Sequence, residues 1–600
     1  MSEEKRKTID ISDQYYGDGF TGVLYCREPM KSGAGWTDVP VSNFTPKSCG
    51  ITRHDNGYEV TEVVRFKAFR NGVFEPVVEL QKADILSHHP DQKFSLGCRV
   101  YPGRYNAQRI AEAIQVQCEN AEISTVIGQT GFRVIDGERV YLNVGNCITK
   151  DGLSKAWNVE LDQDLTRCFG FYESSIPDEE CYKALTELIP SSIPDWIAVP
   201  SVSYIFMSTL NSMLRAKGME PSFLLYFIGR TGTYKTSWAK VLHGFFGRLG
   251  YGDTAPISFM NDTTNRMGHK LALISDMPVL ADDIRPNTTT MERAENAKRE
   301  KFLSSAIGDR SARGRLNADS TAKATYIPRA NVIVTAEDAY TDVGASAIAR
   351  SISVELQPNS IDFGHLCVLQ KHTEHLNKFM QLYLRWLICH YDSVAAGVEE
   401  RLEKYRAKFT AAGHARLATA FSNLSLGYRV LLDFLVEVGQ LTEVDANQKM
   451  DDAIAIFLKM CSKQSDKVAN EKPTTLFVKL LNELIHTKKV RIHDLSVKTT
   501  SFGDPINSVE ATEKTVGYRD NDYYYLIPTA TYNAVVRYYA ESGYTFPASA
   551  PALWKAFADE KLLITDKGRT DRRKSINGKT SRYIALFTSV VDKDEEGGET

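Results

Sequence analysis

No two of the ten cysteines form a CxxC pair. Cys26, Cys49, Cys98, Cys118, Cys147, Cys168, Cys181, Cys367, Cys389 and Cys461 are scattered, which argues against a zinc ribbon or finger. In a chain this long, such spacing predicts no disulfide framework either. No run of about 18 apolar residues occurs, so no helical membrane span is expected. Met1-Ser2-Glu3-Glu4-Lys5-Arg6 lacks the apolar core of a secretion signal. There is no excess of one charge: 72 Lys and Arg stand against 75 Asp and Glu, a net charge of −3. The chain is therefore not a basic nucleic-acid coat, and any such contact must come from local patches. Internal repeats are absent. These absences predict a reduced, cytoplasmic, soluble protein.

What remains is an ordinary globular composition, 43% hydrophobic and 24% charged. The 600 residues exceed the roughly 250–300 at which one core stops growing, so several domains are expected. Residues 1–175 read as a β-rich N-terminal domain, with strands near 58–66 and 73–80 and turn signals at Asn56-Gly57 and Asn71-Gly72. A helix is expected at 106–117, and Asp136-Gly137 marks a hairpin between 131–135 and 140–144. Residues 176–364 read as helices followed by alternating strands and helices, the pattern of an α/β core with a parallel sheet. Residues 365–470 are read as a helical lid, with the polar stretch 462–473 as a linker. A small mixed domain follows at 471–592, and an acidic, glycine-rich tail at 593–600 is expected to be disordered.

The chemistry concentrates in the α/β part. An apolar strand at 223–228 runs into Gly229-Arg230-Thr231-Gly232-Thr233-Tyr234-Lys235-Thr236-Ser237, and a helix follows. This is a Walker A pattern. Backbone N–H groups of such a loop, with the helix N-terminus behind them, cradle phosphates. Lys235 would reach the β- and γ-phosphates of ATP, and the Thr236 hydroxyl would ligate Mg²⁺. The residue before the lysine is ordinarily Gly; here it is Tyr234, whose side chain must point away from the phosphates. About fifty residues on, Met277-Pro278-Val279-Leu280-Ala281-Asp282-Asp283 is a Walker B pattern. There Asp282 would hold Mg²⁺ through water and Asp283 would polarise the attacking water.

A third strand, 331–336, ends beside Glu337. In AAA+ ATPases the strand beside Walker B ends in a polar sensor, a role open to Thr335 or Glu337. Arg350, just before a strand at 351–356, stands where an arginine finger would reach a neighbouring subunit's nucleotide. Against this, Arg350 could simply pair with Glu355 or another acid. Arg416, opening a helix in the lid region, is the candidate second sensor.

Two basic patches suggest nucleic acid. Between Walker B and the third strand, a helix at 291–307 precedes a segment read as a hairpin. Its Lys323 is a candidate pore residue gripping DNA phosphates. Arg310, Arg313 and Arg315 could touch DNA or a neighbour's nucleotide. Near the C-terminus, a helix at 550–563 precedes a basic hairpin carrying Arg569, Arg572, Arg573, Lys574 and Lys579, a winged-helix layout.

Residues 226–240, 280–286 and 347–356 resemble the ATPase core of MCM-like AAA+ replicative helicases carried by mobile genetic elements. These are the Cch-type proteins of staphylococcal cassette chromosomes and the related pathogenicity-island replication initiators. Gly128-Gln129-Thr130-Gly131-Phe132, Asp136-Gly137-Glu138-Arg139-Val140-Tyr141 and Gly145 resemble the domain that precedes the ATPase in this family. The resemblance implies an AAA+ ring, expected to be a homohexamer, that translocates on single-stranded DNA and unwinds duplex for replication of the element, with other replication proteins as possible partners. The cysteine pairs of cellular MCM proteins are missing. An alternative is an ATP-switched initiator or loader that binds DNA without processive unwinding. A small-molecule or polynucleotide kinase built on the same loop usually lacks the paired acids and the downstream finger, and a scaffold with a degenerate loop, which Tyr234 raises, would turn over no ATP.

Overall fold

A computed structural model describes residues 8–592, except 31–32, 34, 87–89, 158, 251, 260, 285–288, 312–324, 338–343, 497–513, 542–543, 545, 567 and 577. Side chains at 86, 90, 91, 283, 290, 293 and 344 also lie outside the description.

The first layer is β-rich. Strands Thr8–Asp10, Tyr15–Asp18, Leu24–Pro29 and Trp36–Ser42 form an antiparallel sheet, and a second sheet is built around Thr45–Asp55 and Val60–Arg70. Helix Asn106–Cys118 packs its Ile110, Ala113 and Ile114 between them with Leu24, Phe44 and Phe66. The expected turns are present. Asn71 and Gly72 both take positive φ (51° and 79°), as do Asp136 and Gly137 (52° and 82°), the conformation a two-residue hairpin of the favoured hand requires.

A third small sheet, from Gly131–Ile135 to Gly152–Ser154, docks on the α/β core through Tyr141 and Ile148 in the shared core, the Asn143 amide on Phe246 C=O (3.0 Å) and a buried carboxylate. Asp276 accepts from Ser212 N–H (2.6 Å), Ser212 O–H (2.6 Å) and Phe132 N–H (2.8 Å), and its carbonyl accepts from the Tyr141 hydroxyl (2.8 Å). Burial raises the Asp276 carboxyl above the ordinary range, while Arg215 and the donors pull the other way. Its backbone is left-handed (φ 57°), which Asp tolerates better than most residues. Asp276→Ala strands three donors in the core and is expected to cost roughly 3 kcal/mol, with Asp276→Asn less damaging. A thermal melt of Asp276→Ala that overlays wild type would refute this.

The α/β core is a five-stranded parallel sheet in the order Ile257–Ser258, Pro278–Ile284, Asn331–Ala336, Leu224–Ile228, Ser351–Glu355. Its strands read as apolar runs because helices cover both faces; all of Asn331–Ala336 is buried. Helices Asp195–Ser208, Thr373–Thr410, Ala415–Glu437 and Glu443–Asn470 share one apolar core with this sheet, running from Tyr141 to Val468. The backbone of Gly427 approaches so closely that a Cβ there would lie 2.5 Å from Met207 N.

The stretch 462–473 is mostly helix, not linker. Glu443–Asn470 continues through it because Cys461, Gln464 and Val468 keep one buried stripe at helical spacing. Gln464 is polar in sequence but buried in place. Its carbonyl accepts from Ser353 N–H (3.1 Å), and its amide donates to Ile348 C=O (3.0 Å) and Ser351 C=O (2.6 Å) along the outer strand of the sheet.

Residues 473–591 build a separate core. Helices Pro473–His486, Pro528–Glu541 and Ala550–Asp559 pack with a five-stranded sheet that ends in the hairpin Arg572–Ile576 and Lys579–Phe587. The helix expected at 550–563 stops at Asp559. Lys561 takes a left-handed φ of 57°, and Leu562 N–H turns back to Phe557 C=O (2.9 Å).

Candidate functional site

The Walker A residues join the central strand Leu224–Ile228 to helix Lys235–His243. Gly229 is held against the neighbouring strand's exit: a Cβ would lie 2.6 Å from Leu356 O and 2.6 Å from Thr233 Oγ1. The Arg230 carbonyl accepts from Thr233 N–H (3.3 Å) and Thr233 O–H (2.9 Å), closing the turn, and Gly232 takes φ 89°. Tyr234 then sits in the left-handed region (φ 61°, ψ 18°), which explains why glycine is usual there. A non-glycine residue in this region costs about 1–2 kcal/mol. Its ring stacks on Phe363, with centroids 5.6 Å apart and planes at 29°.

Lys235 opens the helix with only 8% of its surface exposed. Among the described residues its ammonium has no hydrogen bond or ion pair. A cation at a helix N-terminus is unfavourable unless an anion meets it, so this donor set fits a phosphate. Ser237 follows, half-buried, on the first helical turn.

The sheet order places the strand Asn331–Ala336 between the loop strand and Asp282's strand. This brings together residues a hundred positions apart. The hydroxyls of Thr236 (2.9 Å) and Thr335 both donate to Asp282 Oδ1. The register slips between Ala281 and Ile284, a bulge that carries Asp282 and Asp283 at the strand's end. The Asp283 side chain lies outside the described residues. Thr231 O–H donates to Glu337 Oε1, tying the loop to the end of the third strand. A hydroxyl and a carboxylate converging beside a buried lysine are a suitable donor set for a divalent cation next to a phosphate.

Compared by sequence, the chain matches no protein-family model and no curated protein. Compared by fold, it is similar to a solved structure described as "SCCmec type IV Cch - active helicase", with a TM-score of 0.58 over 97% of this chain and 99% of that one, at 13% identity. The chain thus shares the fold of that helicase. The apo C-terminal region of NrS-1 aligns with a TM-score of 0.24 over 70% of this chain and 90% of that one, at 11% identity, too loosely to compare elements.

The remaining candidates are spread over the molecule. Arg350 sits at the opposite end of the sheet from the loop. Leu224 pairs with Ser351 and Ile228 with Glu355, so Gly229 is level with Leu356, six residue steps or about 20 Å along the strand from Arg350. Its guanidinium pairs with Asp309 (2.6 Å) and packs over Gly308, where a Cβ would lie 2.5 Å from Arg350 Cδ. Glu355 is not its partner; that carboxylate is held by Lys463 (2.7 Å) and Lys467. Arg416 lies exposed on the first turn of helix Ala415–Glu437, with no side-chain ion pair among the described residues.

Arg310, a sequence candidate for DNA or nucleotide contact, is buried instead. It donates to Pro221 C=O (2.6 Å), Ala330 C=O (2.7 Å) and Asn331 Oδ1 (2.8 Å), tying the chain back to the third strand. Arg313, Arg315 and Lys323 lie outside the described residues. In the C-terminal hairpin, Arg569 pairs with Asp571 (3.0 Å), and Lys574 is drawn to Asp520 (3.3 Å) and the Tyr525 hydroxyl (3.1 Å). Arg572, Arg573 and Lys579 are exposed, with no ion pair among the described residues. Phe363 and Asp309 carry no motif, so nothing in the sequence singled them out. Among the described residues, no cluster of three or more His, Cys, Asp or Glu could hold a metal, and no helix is long and apolar enough to cross a membrane.

Proposed function

We propose that this protein is an ATP-driven DNA helicase of the AAA+ class, working as a ring of subunits. The observation that carries the reading is Lys235: a mostly buried side chain whose ammonium has no partner among the described residues, at the start of a helix, beside a carboxylate that already gathers two hydroxyls. Residues 229–236 would bind the triphosphate through backbone N–H groups, and Lys235 would meet its β- and γ-oxygens. Thr236 and Asp282 would hold Mg²⁺, which when bound screens charge on the β- and γ-phosphates. Thr335 orients Asp282 from the neighbouring strand. Asp283, next on the bulged strand, takes the role of positioning and polarising the attacking water, and Glu337 senses the loop through Thr231.

Arg350 is too far from its own loop to act on its own nucleotide, which supports a finger presented to the next subunit. That requires a closed ring or filament, for which a hexamer is proposed. The three helices and basic hairpin at 473–591 are read as a winged-helix domain, with Arg572, Arg573 and Lys579 free to contact DNA phosphates. Lys323, Arg313 and Arg315 are proposed for the pore. Strand displacement on a forked duplex tests the whole reading. ATP-dependent unwinding by wild type is expected. DNA-stimulated phosphate release without any strand separation would leave the ATP-switched initiator instead.

A further inference from the structure

We propose that Tyr234 and Phe363 form the seat of the nucleobase, an inference that rests on the nucleotide reading above. Three observations converge on this pair. First, Tyr234 occupies a left-handed position immediately before Lys235, where glycine would be free of strain. A strained residue held in place beside a phosphate-binding loop points to a use for its side chain.

Second, Tyr234 is half-buried, with its ring held parallel to Phe363 at 5.6 Å and 29°. Phe363 is the first residue of helix Phe363–Lys371, fixed by its cap: Asp362 Oδ1 accepts from His365 N–H (2.9 Å). Leu366 and Leu369 anchor that helix in the core, so the ring is not a mobile surface group.

Third, Phe363 is 60% exposed although both its neighbours in space, Tyr234 and the loop helix, are packed. One aromatic face is covered by Tyr234 and another is open. An open, rigid aromatic face beside a phosphate cradle fits the flat ring joined to those phosphates through ribose. Stacking reads ring size and not hydrogen-bond pattern. The site is therefore expected to take both purine nucleotides similarly and pyrimidine nucleotides less well.

Calorimetric titration of the full chain with ATP, GTP, CTP and inorganic tripolyphosphate, each with Mg²⁺, tests this. Phe363→Ala is expected to weaken ATP and GTP binding roughly 10-fold, within what one stacked base contributes, and to leave tripolyphosphate affinity unchanged. Phe363→Trp is expected to restore the purine advantage. Unchanged ATP affinity in Phe363→Ala overturns the proposal. An equal loss for ATP and tripolyphosphate also overturns it, since Phe363 would then only prop the loop. If wild type binds tripolyphosphate and ATP equally, the base has no seat. If wild type binds neither, the nucleotide reading fails and takes this inference with it.

Discussion

Lys235→Ala is expected to lower ATP turnover by roughly 10²–10³-fold, the scale of one lost electrostatic contact at a site of developing charge. The reason lies in where its ammonium stands. Its side chain is mostly buried, and its ammonium has no partner among the described residues and stands at the positive end of a helix, so a bound anion is what offsets it. The same reasoning gives an opposite sign for stability. Removing that charge relieves the empty protein, so the variant is expected to melt at or above the wild-type temperature while losing its thermal shift on adding Mg²⁺-ATP. Phosphate release and a melting curve measure the two together. Turnover within a few-fold of wild type would sink the assignment of the loop. Lost turnover with a markedly lower melting temperature would assign Lys235 to the fold and not to the site.

Arg350→Ala is expected to reduce turnover by about 10³-fold or more, the contribution typical of an arginine finger, without loss of ATP binding by the loop. The geometry makes this separable. Arg350 and residues 229–236 of one chain lie at opposite ends of the same parallel sheet, so a chain with a damaged finger retains an intact loop. Mixed assemblies of Arg350→Ala with Lys235→Ala are then expected to recover part of the activity, because some neighbours pair an intact loop with an intact finger. An Asp309→Ala control separates the roles, since it removes Arg350's partner within the chain and leaves the guanidinium in place. If mixing restores nothing and Asp309→Ala matches Arg350→Ala, the arginine serves only its own fold.

Much of the candidate site was legible in the sequence because a phosphate-loop pattern is local. The strand, the glycines at 229 and 232, Lys235 and Thr236 are contiguous, and local rules apply to contiguous residues. The meaning of Tyr234 was not legible, because its backbone angle and its contact with Phe363 depend on a helix beginning 129 residues later. Thr335 and Glu337 stand out in sequence as sensor candidates, but their partners follow from sheet order: a strand inserted between two others in space is invisible in chain order. Arg310 shows the opposite failure. A run of arginines reads as a solvated patch, yet this one is consumed by carbonyls at Pro221 and Ala330. Residues 462–473 read as a linker in sequence because they are polar, and polarity is not exposure. Gln464 is polar because backbone groups surround it.

That glutamine has a wider consequence. The strand Ser351–Glu355 is the last of its sheet, and a last strand offers a ladder of donors and acceptors to any passing extended chain. Gln464 answers the Ser353 N–H and the Ser351 carbonyl with one primary amide, imitating the residue that a sixth strand would supply. Part of this edge is thereby covered by a side chain on a helix. In the proposed ring, where copies of this chain would lie side by side, this cover would disfavour pairing of their sheets along that edge.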